Sequence, residues 1–336
     1  MNSAKKIVGI DVGKEKLDVC YPDGKKETVK NNKSGRAKVA DRAKKLGAIV
    51  CFEATGPYEE ALAEECLAKD VKAVRLDAWG TRRFAESQGR IEKTDKIDCE
   101  MIRDYAASLK DEKIHFIKQR SDAYKRLRKA VRTRSNLMKA RGIIANQFED
   151  DLDRETARHL RNALASVDRN IARIEAECDA AIASDERMKN LSRRFQEVKG
   201  VGPNLVRVML AYCPDIGEFN AKSIAKMCGN APIQYESCTI KKTARPKRGK
   251  SELRKALHMA SVSACRSNHI LKATYQRLIA NGKPRKVALT ALARHIAILL
   301  NNIAKHPDFK PQQDPKDIEE KKNKAKRTRG RPRKSA

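Results

Sequence analysis

Apolar positions in the first hundred residues alternate between short β-type runs and helical spacing. Residues 6–12 form a short run rich in β-branched side chains, resumed over 17–21 after a Gly-Lys turn. A third strand is expected over 27–29, after the turn signal Pro22-Asp23-Gly24. Helical spacing follows over 35–46, then the unbroken apolar run AIVCF at 48–52, as in a buried central strand. A helix over 57–69, a strand over 71–76 and a helix over 95–108 complete this part. The order predicts an α/β unit over 1–112 and fits a ribonuclease-H-like sheet among other α/β folds.

Beyond residue 112 the pattern changes to helix alone. Leu160, Leu164, Val167, Ile171, Ile174, Cys178 and Ala181 recur at alternating spacings of 4 and 3, a heptad seam within a segment at 113–192. It predicts a long helix or a helical hairpin, with a coiled-coil partner chain or an intramolecular hairpin as the two ways to cover the seam. Residues 193–305 read as a helical domain, with helices at 205–212, 253–264 and 287–303. Gly200-Val-Gly-Pro203 before the first resembles a helix-hairpin-helix turn, which offers backbone N–H groups to a phosphate. Residues 306–336 are a Pro-punctuated basic tail expected to be disordered when free. Its Arg329-Gly-Arg331-Pro332 centre resembles an AT-hook, which lays arginines in a narrow minor groove.

Charge sharpens this picture. The 336 residues hold 74 Lys+Arg against 43 Asp+Glu, a net +31, and residues 118–141 alone hold ten basic side chains and one acidic. A polyanion partner relieves such self-repulsion, and nucleic acid is the obvious one. No apolar run approaches a membrane span of ~20 residues. The nine cysteines are scattered without a CxxC, which argues against a disulfide framework or thiolate zinc site and for reduced, intracellular thiols. Aromatic residues are 4%, too few for recognition by many stacked bases. Trp79 reads as a packing residue.

Against this basic background, carboxylates stand at expected strand ends. Asp11 ends the first strand and Glu53 follows AIVCF, so adjacent parallel strands would bring both to one edge. Asp95 and Asp98, spaced i,i+3, share a helical face. Four converging carboxylates require cations between them, and oxygen-only ligands suit Mg²⁺ or Mn²⁺. Singly, each has a plainer role: a turn residue, a helix cap, a first-turn carboxylate. Asp18 and Asp77 have weaker claims. Arg82, Arg83 and Arg90 precede the Asp95 helix and either contact phosphate or form a solvated basic face.

The segments GIDVGKEKLDV, FEATGPY and KTDKIDCEMI resemble the DEDD transposases of bacterial insertion sequences, the "IS-one-ten" family of bridge-RNA-guided recombinases. Gly229-Asn-Ala-Pro232, Arg248-Gly-Lys250 and the 253–260 segment extend the resemblance over residues 5–300. It implies a RuvC-like ribonuclease-H fold and an Mg²⁺-binding tetrad of Asp11, Glu53, Asp95 and Asp98. It also implies a nucleophilic serine, Ser237, in the loop after Gly229-Asn-Ala-Pro232; the family's usual Ser-Gly is Ser237-Cys238 here. By its residues alone Ser237 is an exposed loop serine. Lys241, Lys242, Arg245, Lys247 and Arg248 around it could hold a strand, and Ser251 reads as a helix N-cap. The implied partners are donor and target DNA, a structured guide RNA and a homo-oligomer, dimer or tetramer, with the coiled coil as its expected contact, and without a membrane. A hydrolytic resolvase-type nuclease and a non-enzymatic DNA-architectural protein are the alternatives.

Overall fold

A computed structural model describes the backbone of residues 5–53, 58–89, 95–148, 152–237, 240–245 and 249–311, and their side chains except at 95–97, 233–237 and 240–245. The chain forms two compact units, Met1–Arg120 and Ser121–Ala336. The first is a mixed α/β unit and the second is mostly helical.

Unit 1 holds β1 (Ile7–Val12), β2 (Lys16–Cys20), β3 (Lys26–Lys30), α1 (Lys33–Leu46), β4 (Ile49–Glu53), α2 (Tyr58–Ala68), β5 (Ala73–Leu76), α3 (Ala78–Ser87) and α4 (Asp95–Ser108). The strands form one sheet in the order β3-β2-β1-β4-β5. β3, β2 and β1 pair antiparallel; β1, β4 and β5 pair parallel. Short turns make the antiparallel part, since Gly13 N–H bonds Lys16 O and Gly24, at φ 83°, closes the bend onto Tyr21 O. The parallel strands need crossovers, and α2 is the one between β4 and β5.

The period of two along each strand sorts side chains to two faces. Val8, Ile10, Val12, Leu17, Val19, Val50 and Phe52 pack against Val39, Ala40 and Ala43 of α1 and Leu62, Ala63 and Cys66 of α2. Ile7, Cys51, Val74 and Leu76, on the other face, pack against Ile102 and Ala106 of α4. A strand covered on both sides reads as a continuous apolar run, which is why AIVCF lacks alternation.

Unit 2 holds α5 (Asp122–Ala145), α6 (Arg154–Ala183), α7 (Glu186–Gln196), α8 (Pro203–Tyr212), α9 (Ala221–Met227), β6 (Ile233–Ser237), β7 (Ile240–Arg245), α10 (Ser251–Ser267), α11 (His269–Ala280) and α12 (Arg285–Lys305). α5 and α6 form an antiparallel hairpin laced by Arg134–Glu175 (2.5 Å) and Arg141–Asp168 (2.7 Å). Ser121 caps α5 by accepting from Tyr124 N, and Asp153 caps α6 by accepting from Glu155 N and Thr156 N. The heptad seam is buried at Ile171, Cys178 and Ala181, the last two within the core of unit 2, and half-buried at Leu160, Leu164 and Val167.

Three expectations need correction. The polar run after Pro232 is not an irregular loop: β6 and β7 form a two-stranded antiparallel ribbon. Only Ile233, Tyr235 and Ile240 carry its alternation, too few to stand out among the lysines. Ser251 is the first helical residue of α10, and Lys250 occupies the cap position. Finally, α12 is long and apolar enough to cross a membrane by length and composition. Its Leu292, Ile296, Leu300 and Ile303 are instead built into the core of unit 2.

Candidate active site

The carboxylate edge is set by strand register. β1 and β4 pair in parallel up to Ile10↔Phe52, so Asp11 and Glu53 are the next residues along adjacent strands. Both lie two residues beyond Gly9 and Cys51, on the face covered by α4. α4 runs antiparallel to β1: Lys5 Nζ donates to Leu109 O at 2.8 Å near one end, and Gly9 meets Cys99 and Arg103 farther along. The first turn of α4, with Asp95 and Asp98, therefore lies toward the Asp11 end of the sheet.

Gly9 makes this close approach possible. A Cβ there would lie 2.2 Å from Cys99 O and 2.5 Å from Arg103 N, so only glycine lets α4 sit this low on β1. Arg103 adds a tether from above, donating to Tyr21 O and Cys20 Sγ.

The acids at the edge are not equivalent. Asp18 stands opposite Asp11 in register but is 4% exposed. It accepts from Thr28 Oγ1 at 2.5 Å and pairs with Lys16 at 3.2 Å, so its charge is already neutralised within the sheet. Asp77 is the N-cap residue of α3. Asp11, Glu53 and Asp98 are each half-buried, reachable by a solvent-borne ligand. Among the described residues no three His, Cys, Asp or Glu side chains form a ready metal cage, and the Asp95 side chain is not among them. The donor chemistry nonetheless fits a hard divalent ion. Mg²⁺ is usually held by one or two carboxylates plus substrate phosphate, not a closed protein cage. The nearby thiols do not compete, because burial pushes Cys99 up to about 11 and Cys51 up to about 12, keeping both protonated at neutral pH.

Ser237 ends β6, in register with Ile240 of β7, and Glu236 pairs with Lys241, Tyr235 with Lys242 and Ile233 with Arg245. This ribbon is pinned at its base. Gly249, at φ 87°, lies so close to Gly229 that a Cβ on it would be 2.3 Å from Gly229 N. The glycine of Arg248-Gly-Lys250 is thus a backbone contact where the chain returns, a role no spacing rule signals. In the Gly200-Val-Gly-Pro203 turn, Gly202 caps α8 with Pro203 in its first turn, while Gly200, at φ 96°, abuts Ala264 of α10.

Arg82 and Arg83 lie on α3, paired with Glu86 at 3.5 and 3.2 Å. Trp79 is not a packing residue: it is 44% exposed, and the Arg83 guanidinium lies 5.0 Å from its ring centroid. Arg90, Lys247, Arg248, Arg329 and Arg331, with the AT-hook-like segment, lie outside the described residues. One interaction that sequence reasoning missed is in unit 2. Arg207, 7% exposed, donates to both oxygens of Asp179 at 2.8 and 2.6 Å and pairs with Glu175 at 3.1 Å, tying α8 to α6. A lone arginine within VRVML was its signal.

Known proteins resemble the chain along most of its length. Residues 8–156 match a DEDD transposase model of the IS110 type, and residues 192–276 match the model described as "Transposase IS116/IS110/IS902 family". The pilin gene-inverting proteins of Moraxella bovis and Moraxella lacunata are each 24% identical over 315 residues, covering 87% of this chain and 94% of theirs. The two family matches span more than two-thirds of the chain and meet both halves of the described fold, the acid-edged sheet and the ribbon-bearing helical unit. The chain therefore belongs to the IS110 family of DEDD transposases and is a DNA transposase/recombinase.

Proposed function

We propose that this recombinase cuts and rejoins DNA by a metal-dependent serine mechanism, with unit 1 as a RuvC-like ribonuclease-H-type domain. The observation that carries the reading is the register that sets Asp11 beside Glu53 under the helix bearing Asp95 and Asp98. In the proposed site these four carboxylates hold Mg²⁺ or Mn²⁺, which supplies charge neutralisation at the scissile phosphate. Ser237 Oγ attacks phosphorus; one P–O ester bond breaks, the serine proton is lost, and the departing strand oxygen takes up a proton. In rejoining, a strand hydroxyl attacks the phosphoserine and Ser237 recovers its proton. Bond energy is conserved, so no nucleotide cofactor is required. Lys241, Lys242, Arg245, Lys247 and Arg248 hold the strand backbone beside the serine.

A structured guide RNA and a homo-oligomer complete the proposal. The exposed Lys125, Arg126, Lys129 and Arg132 of α5 support a polyanion on the helical hairpin. Met138 and Ile143, 43% and 66% exposed toward the end of α5, support burial against a second chain. The relatives named for inverting a pilin gene support rearrangement rather than plain hydrolysis. The test is nicking of supercoiled plasmid carrying the element's ends and the RNA from its flank. Activity should require Mg²⁺ and fall at least a hundredfold in Asp11→Asn and Asp98→Asn with unchanged melting. Full activity in both variants, or in EDTA, would leave the acidic edge without a catalytic role.

A further inference from the structure

We propose that Trp79, backed by Arg83, is a stacking platform for one unpaired base of the DNA strand handled at the acidic edge of unit 1. This rests on the reading of that edge as the strand-cutting site. Trp79 is the single tryptophan of the chain and leaves 44% of its surface exposed. The Arg83 guanidinium, 5.0 Å from the ring centroid, lies over the indole. A cation over an aromatic ring, on a rigid element, is the arrangement on which bases stack in single-strand binders.

The mount is rigid. Gly80, the next residue, meets Tyr105 of α4 so closely that a Cβ would lie 2.3 Å from its hydroxyl oxygen. Phe84 adds a second contact, its ring 5.6 Å from that of Tyr105. These fix α3 to the same helix that carries Asp95 and Asp98.

The location fits. Leu76 of β5 pairs with Glu53 of β4, and Trp79 follows three residues later, a chain length of at most about 11 Å. Tyr58, 41% exposed, opens α2 five residues after Glu53. Among the described large apolar side chains that unit 1 exposes, these two stand at the carboxyl end of the sheet. The third, Phe116, bridges to Val74 and has Lys72 over its ring. Arg82 and Arg83, shared with Glu86, supply charge for the adjoining phosphates. A duplex hides its base faces, so the platform selects an unpaired nucleotide.

Because Trp79 is alone, its emission reports the site directly. Full-length protein in EDTA, titrated with oligo-dT, should show quenched emission, and a duplex of equal length should quench little. Fluorescence anisotropy of labelled oligo-dT should show about tenfold weaker binding for Trp79→Ala, wild-type binding for Trp79→Tyr, and unchanged duplex binding for both. Unchanged emission while anisotropy reports binding would overturn the platform and leave the strand-cutting reading standing. Stronger quenching by oligo-U than by oligo-dT would assign the platform to RNA and overturn the DNA assignment. Absence of binding to every oligonucleotide would overturn the underlying reading together with the platform.

Discussion

Individual side chains in this protein act through what their neighbours leave them free to do. Asp18 and Asp11 face each other across β1 and β2, yet Asp18 is consumed by Thr28 and Lys16. Asp18→Asn should therefore lower the melting temperature while sparing cleavage more than Asp11→Asn does, measured on the same preparations. Glu175 shows the same logic in unit 2. Burial pushes its carboxyl up, but the Arg134 hydrogen bond and charge, with Arg207, outweigh burial and hold it below its ordinary 4.5. A depressed folded-state value adds stability above the unfolded value and loses it as pH falls through the folded one. Denaturant midpoints measured from pH 6 downward should fall below about pH 4.5, less steeply in Glu175→Gln. Arg207→Met should cost about 1–2 kcal/mol at neutral pH, because it removes the charged hydrogen bonds that join α8 to α6, while Asp179 stays solvated and Glu175 keeps Arg134.

At the scale of elements, two glycines hold the candidate chemistry in place. Gly9→Ala forces a Cβ into the Cys99 carbonyl and must lift α4, at about 1–3 kcal/mol. Because α4 carries Asp95 and Asp98, plasmid nicking should fall by more than the stability loss explains, with weaker apparent Mg²⁺ affinity. Gly249→Ala combines a left-handed φ with contact against Gly229 and should cost about 1–3 kcal/mol. If the ribbon carries the nucleophile, that variant should lose strand joining while native melting of unit 1 persists. The sheet's elements were legible in the sequence because period-two and unbroken apolar runs leave distinct marks, as at AIVCF. Asp11 and Glu53 could be placed on one edge for the same reason. Gly9 was silent, since one glycine between Val8 and Ile10 carries no sign of the helix above it. The ribbon was hidden by its lysines, and Trp79 by the general habit of tryptophan to pack; its exposure depends on α3 seating through Gly80 and Phe84.

For the whole molecule, the proposed function gives the net charge of +31 the task of holding a polyanion and the acids at the sheet edge the task of reacting with it. The heptad seam was legible as a helical pair but not as its partner. α5 supplies a cover within the chain, and Ile143 stays exposed near the hairpin turn. Ile143→Asp should shift sedimentation of the purified protein toward the monomer if that end pairs chains, and unchanged sedimentation would remove the hairpin from the assembly. The joining step itself is best read from a denaturing gel of protein, Mg²⁺, guide RNA and end-labelled donor DNA. The account predicts a covalent protein–DNA adduct that forms with wild type, vanishes in Ser237→Ala and maps by mass spectrometry to Ser237. Cleaved DNA with no adduct, equally abundant in wild type and Ser237→Ala, would contradict it.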